Sequence, residues 1–100
     1  MAGSPSPTSR AFAKALRQAR KARSLTQEDF SVASGRTYIS SLERGLKNPT
    51  LEKITDLAET LKIHPLTLLM LTYLYMQQNE TLERLLTKVQ KETKEIKEAD

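Results

Sequence analysis

The sequence predicts an all-α fold, and three observations predict it. Apolar residues recur at helical spacing along the 100-residue chain, most plainly at Leu51, Ile54, Leu57, Ala58 and Leu61. Helix-starting residues stand ahead of such stretches: Thr26 with Asp29 as a capping box, Thr50, and Pro65 at a first-turn position. Gly45 ends one of them as a helix-terminating glycine does.

The size allows one domain, and 38% apolar residues fill a small core. No apolar run of 18 residues is present, so no membrane span is expected, and the N-terminus lacks a charged-then-apolar leader pattern. The chain has no Cys, which excludes disulfide and thiolate chemistry and makes a reducing cytoplasm the expected setting. A single His, His64, cannot build a His-based metal site alone, and three scattered glycines make no phosphate-cradling loop. No metal, cofactor or catalytic activity is expected.

Residues 1–8, MAGSPSPT, are small, polar and Pro-rich, and are read as a disordered tail. Residues 9–78 form the main domain and residues 79–100 a C-terminal helical extension. Thr8 or Ser9 caps a first helix running to about Ala22, with Phe12, Ala15, Leu16 and Ala19 as its buried stripe. Arg10, Lys14, Arg17, Arg20, Lys21 and Arg23 give that helix charge of one sign. A helix that is merely solvated usually mixes signs at i, i+4; contact with phosphates accounts for one sign better.

Residues 26–45, TQEDFSVASGRTYISSLERG, hold the centre of the design: two short helices and the turn between them. Phe30, Val32 and Ala33 give the first its apolar side. Gly35 supplies the positive φ that a sharp turn often requires. The second starts at about Arg36 or Thr37 and turns Ile39 and Leu42 inward. Its outer face carries Arg36, Thr37, Ser40, Ser41 and Arg44, with no acid, a surface that fits a DNA major groove. Net charge agrees: residues 1–50 carry nine basic and three acidic side chains, a net of +6, against +4 for the whole chain.

After Gly45, Lys47 and Asn48 lie in a loop that Pro49 stiffens. The helix that Thr50 caps carries Glu52, Asp56 and Glu59 outward, so it is expected to face away from DNA. His64 precedes the next helix and has a capping or packing role, since no nucleophile or carboxylate pattern accompanies it. Residues 65–78, PLTLLMLTYLYMQQ, are apolar on nearly every side, and such a helix must be buried all round. The other helices cover one side, so a second copy is expected on the other, which predicts a homodimer. Leu68, Leu71, Tyr75 and Leu82 are its expected interface residues. The last helix, capped by Asn79 or continuous with the one before, has the stripe Leu82, Leu85, Leu86, Val89 and Ile96. It is expected to pack on the partner or on the preceding helix, and to fray after Val89.

The blocks LTQEDF, RTYISSLERG and NPTLEKITDLAETL, in that order, resemble the xenobiotic-response-element (XRE) family of Cro- and lambda-repressor-like helix-turn-helix regulators, over roughly residues 10–71. The resemblance implies a five-helix lambda-repressor-like DNA-binding domain, a homodimer, a palindromic operator and double-stranded DNA as the partner. It implies that Arg36, Thr37 and Ser41 read base edges, and that Arg17, Gln27, Arg44 and Lys47 hold phosphates. Tyr38 either lays its ring on the sugar-phosphate wall with its hydroxyl on a phosphate, or is a half-buried core ring. Arg20 and Glu43 match an ion pair that braces the recognition helix. The stretch from Gln27 to Glu43 is two residues shorter than the usual family pattern, so the second helix or the turn is shortened. A second reading is an antitoxin-like or accessory interaction module with secondary DNA binding. Non-specific RNA binding lacks an aromatic stacking platform.

Overall fold

The computed structural model describes residues 5–30 and 35–99. Five α-helices and one 3-10 turn follow in order: α1 (Pro7–Ala22), the turn (Gln27–Phe30), α2 (Arg36–Glu43), α3 (Leu51–Leu61), α4 (Pro65–Met76) and α5 (Leu82–Glu98). No strand occurs among the described residues, and none of their helices is long and apolar enough to cross a membrane. Val32 and Ala33, expected on the first short helix of the central pair, lie outside the described residues.

Helix α1 begins earlier than expected. The Ser6 hydroxyl accepts the Ser9 N–H at 3.0 Å, and Pro7 occupies the first turn, where its missing N–H costs no bond. The tail therefore does not extend to residue 8. Ser9 is itself buried, and its hydroxyl donates to Asn48 Oδ1 in the loop after α2. Gly45 (φ +74°) lies so close to Pro5 that an added Cβ would meet the Pro5 Cβ at 3.2 Å. The start of α1 is thus fastened to the end of α2.

One core joins the helices: Phe12, Leu16 and Ala19 of α1, Phe30, Ile39 and Leu42 of the central pair, Ile54, Leu57, Ala58 and Leu61 of α3, and Leu68 of α4. Helix α3 starts where Thr50 Oγ1 accepts the Lys53 N–H at 3.1 Å. It ends in a left-handed residue, Lys62 (φ 59°), with the Ile63 N–H closing on Ala58 O at 3.0 Å. A side chain in this conformation is strained, and glycine is the residue that such helix ends favour. Lys62→Gly is therefore expected to stabilise the protein by about 0.5–1 kcal/mol, read as a higher midpoint in thermal unfolding.

Helix α4 departs from its expected burial. It lies along α1 and buries only Leu68 and Thr72; Leu66, Tyr73 and Met76 are exposed. Leu68, expected at a dimer interface, is at 0% exposure inside the protomer's own core and is not available to a partner. Tyr75 leans back on α1, where Lys14 Nζ lies 4.5 Å from the ring centre and Gln18 Oε1 accepts its hydroxyl. The His64 imidazole caps α4, its Nδ1 accepting the Leu66 N–H at 3.0 Å.

Helix α5 is separate from α4 and is capped by Thr81, not Asn79; the Thr81 Oγ1 accepts the Arg84 N–H at 3.2 Å. It continues to Glu98 rather than fraying after Val89, and none of its residues is buried. Between α4 and α5 lies an apolar cavity of about 310 Å³, lined by Leu66, Leu69, Met70, Tyr73, Leu85 and Val89.

Candidate nucleic-acid interface

The surface around α2 is built from its N-terminus. Gly35 adopts φ +80° and leads directly into Arg36, a conformation that a residue with a side chain rarely takes. Glycine brings no side-chain cap to the first turn. From there the helix alternates as its spacing requires. Ile39 and Leu42 are fully buried, whereas Arg36, Thr37 and Arg44 are exposed and Ser40 is half-buried between them. Lys47 is exposed in the following loop.

Ser41 does not belong to this face. It is 7% exposed, one helical step round toward the core, and its carbonyl accepts the Leu46 N–H at 2.9 Å. Ser40, four residues after Arg36 and four before Arg44, is the half-buried serine that takes the place on this face expected of Ser41. The spacing in the sequence carries that distinction, because the arc between Arg36 and Arg44 passes through residue 40.

At the C-terminal end of α2 sits Glu43, 3% exposed. A buried carboxylate is tolerable only when its oxygens are matched by donors. Arg20 supplies two, Nε to Oε2 at 2.6 Å and Nη2 to Oε1 at 3.0 Å, in the paired geometry that a guanidinium permits. Gln27 adds a third, Nε2 to Oε1 at 3.0 Å. Arg17 Nη2 donates to the Glu43 backbone carbonyl at 2.6 Å, and its Nε lies 3.9 Å from Oε1. Burial pushes the Glu43 carboxyl up, but hydrogen bonds from Arg20 and Gln27, with the charges of Arg20 and Arg17, hold it below the ordinary value. The Arg20 guanidinium is raised in turn, chiefly by its hydrogen bond to Glu43. Arg20 also reaches Leu25 O through Nη1 at 3.0 Å, fastening the loop between α1 and the 3-10 turn.

This arrangement relocates two residues expected on phosphates. Gln27 is drawn in by Glu43, because Oε1, which already accepts from Arg20 Nη2, has a further lone pair for a donor. Arg17 is half-exposed, with one guanidinium edge on the end of α2 and the rest facing solvent. Thr26 and Asp29 close the local box predicted for them, the Thr26 N–H donating to Asp29 Oδ2 at 2.6 Å.

Tyr38 is half-buried and packs against the core. Burial raises its phenol, so the hydroxyl stays protonated at neutral pH. The ammonium groups of Lys47 and Lys53 both lie 5.5 Å from its ring centre, a cation–π arrangement. Lys53 was missed as a member of this surface: helix α3 was expected to face away because of Glu52, Asp56 and Glu59. Only packing brings Lys53, in the N-terminal turn of α3, over the Tyr38 ring of α2. Among the described residues no cluster of His, Asp or Glu suited to a metal is present.

The chain matches the helix-turn-helix family model over residues 16–68. The uncharacterized HTH-type transcriptional regulator y4dJ of Sinorhizobium fredii (strain NBRC 101917 / NGR234) is 44% identical over 46 residues, a match covering 44% of this chain and 60% of that relative. No solved structure matches at a significant level. The family match takes in the Glu43 brace, the 3-10 turn, α2 and α3 together, and with more than half of its length inside it, the chain belongs to the XRE-type helix-turn-helix family of DNA-binding transcriptional regulators.

Proposed function

We propose that this protein binds double-stranded DNA in a sequence-specific manner as a homodimer, with α2 entering the major groove of each half of an inverted repeat, and regulates transcription without catalysing a reaction. The observation that carries the reading is the outer face of α2, where Arg36, Thr37 and Arg44 are open to solvent, Ser40 lies half-buried between them, and no acid is present. Exposed Lys47 and half-exposed Arg17 flank that face and supply charge for phosphates. Arg36, at the first turn of α2, is assigned to a guanine edge, where a guanidinium meets O6 and N7 together. Thr37 contacts a neighbouring base edge or methyl group. Arg44 and Lys47 hold the backbone, and Tyr38 supports Lys47.

The exposed side of α4 and α5 (Leu66, Tyr73, Met76, Leu82 and Leu86) supports the homodimer, with half-buried Leu71 at its margin. Two recognition helices about 34–36 Å apart then read half-sites one DNA turn apart. Selection of bound duplexes from a random pool tests the whole reading. An enriched inverted repeat is the expected result; a pool that stays random after repeated selection would refute specificity.

Two substitutions separate the roles. Arg36→Ala is expected to relax preference at one base pair, costing about 1–3 kcal/mol of discrimination. Lys47→Ala is expected to weaken all sequences alike and to reduce the slope of log affinity against log salt by about one unit. Both are read by titrating the selected operator and a scrambled duplex at several salt concentrations.

A further inference from the structure

We infer that Asn48 is a ligand of the DNA backbone, and that Ser9, buried at the start of α1, is the positioning residue that holds its amide in the binding orientation. The inference rests on the DNA-binding reading above and adds to it a neutral donor beside Lys47 and the residue that aims it. Ser9 is 5% exposed, so its hydroxyl must find partners within the protein. It is engaged on both sides. The Ser6 hydroxyl donates to Ser9 Oγ at 2.9 Å, and Ser9 Oγ donates in turn to Asn48 Oδ1, far along the chain. A hydroxyl has one proton to give, so the relay runs one way, from Ser6 through Ser9 to Asn48.

That direction fixes the Asn48 amide. Its oxygen faces Ser9, and Nδ2, the end with two N–H donors, is left to the solvent side of an exposed residue. The amide torsion of an asparagine is otherwise broad, so without Ser9 an oxygen could face outward instead. The backbone is held as well. Asn48 precedes Pro49, which confines it to extended conformations. The loop also approaches α1 closely at Gly45, where an added Cβ would lie 3.7 Å from the Ser9 carbonyl oxygen. Position identifies the ligand. Exposed Arg44 caps the end of α2, exposed Lys47 directly precedes Asn48, and no acid stands between them. An anion drawn to two cations beside the recognition helix is a backbone phosphate, and an asparagine N–H is a donor that phosphate oxygens accept.

The test titrates the full chain with the selected operator and a scrambled duplex at several salt concentrations, with thermal unfolding alongside. Asn48→Ala is expected to bind both duplexes roughly tenfold more weakly. It is expected to leave the salt slope unchanged, because a neutral donor releases no counterion. Asn48→Asp keeps an oxygen for Ser9 but replaces the N–H pair by a carboxylate. It is expected to unfold closer to the parent than Asn48→Ala does, yet to bind DNA more weakly than Asn48→Ala. A purely structural role predicts the same ranking in both measurements, and that outcome overturns the contact, as does parental affinity in Asn48→Ala. Ser9→Ala is expected to weaken binding severalfold in the parent and not at all in Asn48→Ala. An equal loss in both backgrounds overturns the positioning role of Ser9 and leaves the Asn48 contact standing. A parent chain that binds neither duplex overturns the DNA-binding reading itself.

Discussion

Glu43→Ala is expected to destabilise the protein by about 3–5 kcal/mol, measured by urea unfolding, because it removes one member of a buried ion pair and strands the other. The Arg20 side chain is only 14% exposed and, among the described residues, pairs with no other carboxylate. Gln27 loses its acceptor in the same change. Small domains have about 5–15 kcal/mol in all, so a loss of this size brings the chain near its unfolding threshold. Replacing both charges by apolar residues of similar volume, Arg20→Met with Glu43→Leu, is expected to recover much of the loss, since no unpaired charge then remains. A loss below about 1 kcal/mol for Glu43→Ala would refute the brace as a stabilising element.

The same group sets an acid dependence. Its folded carboxyl titrates below the ordinary 4.5, so as pH falls the unfolded chain takes up this proton first. The stabilisation is complete above the unfolded value and is lost as pH drops through the lower folded one. The acid limb of stability against pH is therefore expected to be shallower in Glu43→Ala than in the parent, a comparison made by denaturant titration at successive pH values.

Leu68→Ala is expected to cost about 2–5 kcal/mol through the cavity it leaves. Leu68 is at 0% exposure and is the residue of α4 that joins the core shared with Leu16, Leu57 and Leu61. The cost is expected to be the same at every protein concentration, because the residue belongs to one protomer. Leu82→Ala, on an exposed position, is expected to leave protomer stability within about 0.5 kcal/mol of the parent and to act on dimerisation. Unfolding at two concentrations a hundredfold apart separates the two effects. A midpoint for Leu68→Ala that moves with concentration more than the parent's does would place Leu68 at an interface after all.

Much of the fold was legible because its signals are local. Thr50 and Pro65 mark helix starts by chemistry that acts within one turn, and Gly35 and Gly45 mark two of the positions of positive φ by having no Cβ. Three misplacements came from packing. The start of α1 was set by Ser6 and Pro7, whose cap is backed by contacts with Gly45 and Asn48 far along the chain. Ser41 and Ser40 are both small and polar, and the packing of α2 on the core separates them along the arc that the Arg36–Arg44 spacing marks. Lys53 joined the surface because α3 turns its first residues toward α2.

The sequence by itself determined the all-α class, the order of the helices, the basic half and the inward Ile39 and Leu42, because caps, breakers and helical periodicity act over a few residues. Tertiary structure alone decided which side of each helix is free. It put Leu68 in the core and Tyr75 on α1, and it left Leu82 and Leu86 open. It also brought Arg17 and Gln27 to Glu43 beside the Arg20 expected there. The physical reason is desolvation. Once packing removes the Glu43 carboxylate from water, its oxygens need donors, and no local pattern in the chain states that Gln27 and Arg17 join Arg20 there.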